Sequence, residues 1–92
     1  MAWKIEFSGA ARKELSKLDR SIALRIISFL EERVAEGGNP RAIGKALTDS
    51  LLGEFWKYRV GDWRLICSID DERVVIQVLR IGNRREVYRD KA

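Results

Sequence analysis

Five residues of this chain have the types and spacing to handle a phosphodiester: Lys57, Arg59 and Arg64 in its middle, then Arg84 and Tyr88 further along. Guanidinium groups present planar pairs of donors to nonbridging phosphate oxygens, and fixed positive charge stabilises a phosphate that becomes more negative in its transition state. Surrounding cations also lower the pKa of a phenol or an ammonium, which readies either to take a proton. The chain has no histidine, so proton transfer at an RNA 2′-hydroxyl would fall to Tyr88, to a lysine or to water. Arg59 is poorly suited to act as a base, because a guanidinium holds its proton beyond about pH 12.

The elements that must position these groups are legible around Gly61-Asp62. Phe55–Val60 and Trp63–Cys67 alternate in character on either side of it, and glycine at the first central position of a two-residue loop is the pattern of a type II′ hairpin. Such a loop pairs Val60 with Trp63, Arg59 with Arg64 and Lys57 with Ile66. Strand alternation then puts Lys57, Arg59 and Arg64 on one face and Trp56, Tyr58, Val60, Trp63, Leu65 and Cys67 on the other. Like charges directly opposite each other destabilise a sheet pair by a few tenths of a kcal/mol up to roughly 1, so their retention argues for an anion held between them. The competing reading is a solvated outer face whose charges block edge pairing. Gly82 allows a sharp departure from the sheet. A tail folding back along the sheet edge would bring Arg84 and Tyr88 to the cationic face, with Arg85 and Arg89 as further phosphate contacts or as solubilising charge.

The remainder reads as support for that face. Trp3–Phe7 alternates as a first strand. Ser8 can cap a helix carrying Ala11, Leu15 and Leu18, and Asp19 a second helix carrying Ile22, Ile26, Phe29, Leu30 and Val34, which Gly37-Gly38-Asn39-Pro40 stops. Arg41–Leu52 reads as a partly packed loop. Val74–Ile81 is a near-continuous apolar run, the mark of a strand in the middle of a sheet. Pairing Ile69 with Val74 across the turn Asp70–Arg73 sets Cys67 against Ile76, Leu65 against Val78 and Arg80 against Trp63, where a cation over an indole is tolerable. The expected fold is α+β in the order β-α-α-β-β-β, one domain over 1–92. Two N-terminal helices pack on a mainly antiparallel four-stranded sheet.

Composition narrows the chemistry. Eighteen Lys and Arg against fourteen Asp and Glu give the 92-residue chain a net charge of +4, which favours polyanionic partners. With 46% apolar residues the chain can fold as a globule, while no apolar run approaches the roughly 20 residues of a membrane span. No signal-peptide layout opens it, so a cytoplasmic location is expected. One cysteine and no histidine leave no material for a Cys-His zinc site, a Ser-His-Asp triad or a Cys-His pair. Neither a metal nor a cofactor is expected.

Two stretches carry a family resemblance: Trp56–Ile66, similar to the basic hairpin of RelE-type toxins of the RelE/ParE superfamily, and Ile81–Tyr88, which looks like their C-terminal signature. The likeness runs over nearly the whole chain and implies a RelE-like fold. It further implies a ribosome-dependent endoribonuclease that cuts messenger RNA in the A site by metal-free attack of a 2′-hydroxyl on the adjacent phosphate. By that resemblance Lys57 and Arg59 bind phosphate or assist proton transfer. Arg64 and Arg84 stabilise the phosphorane-like charge, and Tyr88 stacks on a base or acts as one. The implied partners are the ribosome, mRNA and a cognate antitoxin that folds on binding and through which the pair would bind operator DNA. Many relatives carry histidine after the signature glycine; here Asn83 stands in its place. Two other functions remain open on the residues: a ParE-like toxin that inhibits DNA gyrase without nuclease chemistry, and a binding module or weakened relative.

Overall fold

The structure, a computed structural model, describes residues 2–47 and 55–83. Strand β1 (Lys4–Phe7) leads into helix α1 (Gly9–Ser16) and helix α2 (Arg20–Ser28), which continues as a π-helical segment over Phe29–Ala35. A 3-10 turn at Pro40–Ala42 and a two-residue strand β2 (Lys45–Ala46) precede β3 (Phe55–Val60), β4 (Trp63–Asp70) and β5 (Val75–Asn83). The sheet runs β1-β5-β4-β3-β2. Only the β1–β5 pair is parallel among those described. β5 therefore lies inside the sheet, as its apolar run requires, and the first and last strands are neighbours. Among the described residues the sheet has five strands rather than the expected four: Lys45 and Ala46 pair with Lys57 and Trp56 in a stretch whose mixed pattern reads as loop.

Gly44 explains how that short strand is admitted. Its φ is +81°, and a Cβ there would lie 2.5 Å from the Lys57 carbonyl oxygen and 2.6 Å from Trp56 Nε1, so only glycine lets the chain come this close to β3. Three aromatic donors hold the same region. Trp3 Nε1 donates to Gly38 O at 3.2 Å, Tyr58 Oη to Pro40 O at 2.7 Å and Trp56 Nε1 to Ile43 O at 2.7 Å.

The core lies between the helical layer and one sheet face. Ile26, Leu30 and Val34 meet Tyr58, Leu65, Cys67, Ile76 and Val78, all at most 1% exposed. The Phe29 ring meets the Tyr58 ring edge-on at 5.8 Å. Ser8 caps α1 as expected, its Oγ accepting from Ala11 N at 3.0 Å. Asp19 sits at the N-cap of α2 but makes no side-chain capping bond. The helix ends beyond the α-helical stretch in wider turns, with Glu36 N reaching back five residues to Glu31 O. This widening keeps both Val34 and Ala35 buried.

The β4–β5 register differs from expectation. Ile69 pairs with Ile76, Cys67 with Val78 and Leu65 with Ile81, so Val74 belongs to the turn and Arg80 faces Ile66 instead of Trp63. Sliding the turn one residue along the chain keeps the same residues on the core face, so hydrophobic alternation is blind to the difference. A bulge then leaves Leu79 without a partner in the ladder. The extra residue switches the phase of β5, which is why Ile76, Val78 and also Ile81 are buried.

Val74 is left at φ 56°, a left-handed conformation that costs a β-branched residue about 1–2 kcal/mol. Val74→Gly is expected to raise stability by about 1 kcal/mol after glycine's own entropic cost, read as a higher urea midpoint at unchanged slope. Burial also pushes the Cys67 thiol and the Tyr58 phenol well above their ordinary ranges. The folded chain keeps protons that the unfolded chain releases near pH 8.5 and 10. Stability is therefore intact below about pH 8.5 and falls above it by about 1.4 kcal/mol per pH unit per group. Urea midpoints taken from pH 7 to 10 should show the first decline in the parent protein and not in Cys67→Ala.

Candidate functional site

The hairpin closes as its sequence requires. Arg59 pairs with Arg64, Lys57 with Ile66 and Val60 with Trp63, and Gly61 has φ 60° at the turn. Tyr58, Val60, Leu65 and Cys67 are buried on the core side, with Trp3, Trp56 and Trp63 packed partly against the same core. Lys57, Arg59 and Arg64 take the other face: Arg59 is exposed, while Lys57 and Arg64 are half-buried. The three cations converge as the spacing predicts. Arg84, Arg85, Tyr88 and Arg89 lie outside the described residues.

Arg64 is held in place. Its Nη1 donates to Gly61 O at 3.0 Å and Trp63 O at 3.1 Å, so the hairpin's own turn carries the guanidinium. That tether also tempers the Arg59–Arg64 opposition without requiring an anion between them. On its other side Arg64 faces Gly82 of β5, a neighbour with no side chain to crowd it.

Two cations that the sequence reading did not place here join the same face. Register puts Lys45 opposite Lys57, then Ile66 and Arg80 in the same row. Lys45 escaped notice because a two-residue strand has no periodicity to detect, and Arg80 because the bulge moves it. Arg80 has a carboxylate against it: Glu14 of α1 accepts from Arg80 Nε at 3.2 Å and Nη2 at 3.0 Å. The same carboxylate accepts from Ile81 N at 2.8 Å. It stands where β1 has ended, since β1 pairs with β5 only as far as Val78. There Ser8 Oγ donates to Leu79 O at 2.9 Å, and Glu14 takes the next free donor.

The face thus combines one neutralised arginine with a set of cations presented from β2, β3 and β4, on a sheet that the helices back from the other side. Such a surface can receive a polyanion along the strands and fix it with an arginine whose orientation is already set. Among the described residues no group of three or more His, Cys, Asp or Glu is arranged to hold a metal ion, and no helix is long and apolar enough to cross a membrane.

A small α+β domain with two N-terminal helices on this sheet is the architecture of RelE-like toxins. The chain belongs to the ParE toxin family of type II toxin-antitoxin systems, whose sequence profile matches residues 5–88. It is 33% identical to Toxin RelG of Mycobacterium tuberculosis over 89 residues, covering 97% of this chain and 99% of that protein. Toxin RelE of the same organism is 28% identical over 87 residues, covering 95% of this chain and 87% of the relative. In three dimensions the chain is similar to a chain of the RelBE2 toxin-antitoxin complex of M. tuberculosis, with a TM-score of 0.80 at 28% identity over 90% of this chain and 92% of the other. The protein is the toxin of a type II toxin-antitoxin system.

Proposed function

We propose that this toxin is an endoribonuclease that cuts mRNA in the ribosomal A site and so arrests translation. The observation that carries the proposal is the cationic sheet face on which Arg64 is tethered by Gly61 O and Trp63 O beside Lys57 and Arg59. In the reaction a 2′-oxygen attacks the adjacent phosphorus while its proton passes to a base. The bond to the 5′-oxygen breaks, and that oxygen takes up a proton. The products are a 2′,3′-cyclic phosphate and a free 5′-hydroxyl. Lys57 and Arg59 bind the phosphates, Arg64 with Arg84 stabilises the added negative charge, and Tyr88 stacks on the base or accepts the proton. Arg85 and Arg89 extend the contact to RNA. Such a target puts the site of action in the cytoplasm.

The partner that holds the toxin inactive is a cognate antitoxin, in keeping with the RelBE2 complex that this fold resembles. An acidic or amphipathic segment that orders on binding can neutralise the cations or cover Leu24, the large apolar side chain that is 52% exposed on α2. The family's ParE name supports a second reading, inhibition of DNA gyrase without nuclease chemistry.

Primer extension on a defined mRNA in a bacterial translation extract separates the two. Cuts within A-site codons only when ribosomes are present are expected. An intact message with and without ribosomes, together with loss of supercoiling by gyrase, would replace the nuclease with a gyrase inhibitor.

A further inference from the structure

A second cationic site lies around the hairpin tip from the sheet face. A cavity of about 440 Å³ opens between α2, its π-helical continuation and the end of β3, lined among others by Arg25, Ser28, Glu32, Arg33, Arg59 and Gly61. β2 pairs with β3 only at Trp56 and Lys57, so the edge of β3 beyond Tyr58 is uncovered by that strand and meets the helix here. The Arg25 guanidinium lies over the turn: a Cβ on Gly61 would be 3.5 Å from Arg25 Nη1 and 3.7 Å from its Cζ.

The cavity gathers guanidinium groups with little carboxylate to balance them. Among the described residues, Arg41, Arg73 and Arg80 each have a carboxylate within 4.0 Å. Arg25, Arg33 and Arg59 have none, although Glu32 lines the same cavity. Three guanidinium groups and a serine hydroxyl around one solvent-filled space, with one carboxylate that pairs with none of them, leave donors in excess. Fork-shaped donors of this kind match the oxygens of a phosphate.

We propose that this cavity is a phosphate-binding subsite for RNA, distinct from the place where the chain is cut. The inference rests on RNA being the ligand of the sheet face. Arg59 belongs to both surfaces, so a strand lying across Lys57 and Arg64 reaches Arg25 and Arg33 at its next turn around the hairpin tip. Continuity with that face favours a nucleic-acid phosphate over an acidic protein segment.

The test measures binding of a 2′-O-methyl RNA oligonucleotide, which lacks the attacking hydroxyl, between 50 and 200 mM salt. Against the full-length parent protein stand R25Q/R33Q and, as a charge-matched control, R12Q/K13Q on the exposed face of α1. The cavity variant is expected to bind about tenfold more weakly, with its salt slope reduced by about 0.7, the release accompanying one phosphate contact on a single strand. The control should lose far less. R25K/R33K keeps the charge but not the forks and should fall between, and thermal midpoints show that each variant is folded. Equal losses in cavity variant and control, unchanged binding, or a loss confined to a poly-glutamate peptide would each overturn the subsite. Because nothing is cleaved, RNA binding that depends on Arg25 and Arg33 without ribosomal cutting would remove the nuclease reading and leave this one standing; no RNA binding by the parent protein would remove the subsite.

Discussion

Arg64→Ala is expected to slow the proposed ribosome-dependent mRNA cleavage by roughly 100-fold or more, the scale of losing one preorganised donor to transition-state charge. Unfolding should hardly change. Of the two carbonyl oxygens that hold Arg64, that of Gly61 lies in the exposed hairpin turn and that of Trp63 at the half-buried first residue of β4, so water at the hairpin tip can satisfy at least the first when the guanidinium is gone. The same tether explains why Arg64→Lys should recover only part of the rate: an ammonium keeps the charge, but it lacks a planar fork that can bond the turn with one nitrogen and offer others to a phosphate. Single-turnover cleavage on programmed ribosomes separates this loss from weaker binding. An Arg64→Ala toxin that cuts at the parent rate would take Arg64 out of the chemistry.

The largest effect on folding is expected at Glu14. Its carboxylate is 27% exposed and Arg80 is 38% exposed, so the pair lies partly out of solvent. Truncation strips three donors at once: Ile81 N and two nitrogens of Arg80. Losing these three bonds, one of them to a backbone N–H, costs about 2–3 kcal/mol. For a domain of this size that corresponds to a fall in Tm of about 10 °C or more. Glu14→Gln can still accept from Ile81 N but lacks the charge that Arg80 meets, so about half the loss should remain. Urea unfolding of both variants measures the difference. A Glu14→Ala protein as stable as its parent would show that the bulge holds without α1.

Much of this architecture can be read from residue order because it follows from local rules. Gly61-Asp62 dictates the turn, the turn dictates the register of β3 with β4, and alternation then gathers Lys57, Arg59 and Arg64. Ser8 caps its helix through chemistry confined to three residues. What escaped depends on contacts between distant segments. The strand status of Lys45 and Ala46 arises from Gly44 coming against Trp56 and Lys57, which no short pattern announces. The place of Arg80 depends on a bulge stabilised by Glu14, 66 residues away. Val74 reads as a good strand residue and ends in the left-handed region because the turn slides by one residue to meet the bulged register. The cavity beside Arg25 has no sequence signature either, since its arginines come from a helix and a strand brought together only by packing.

The position of β5 has a consequence for timing. This strand separates β1 from β4, and Ser8 at the end of β1 bonds Leu79, 71 residues further along. β1 has no sheet partner until β5 arrives, whereas the β3–β4 hairpin can form locally. Closing so long a loop before any reward is collected slows folding to the order of milliseconds or longer. A newly made toxin therefore passes through an interval in which its basic hairpin can form while β1 and β5 are not yet joined behind it. An antitoxin already present in the cell meets a half-built target, and a chain stopped before β5 has no partner to hold β1 in the sheet.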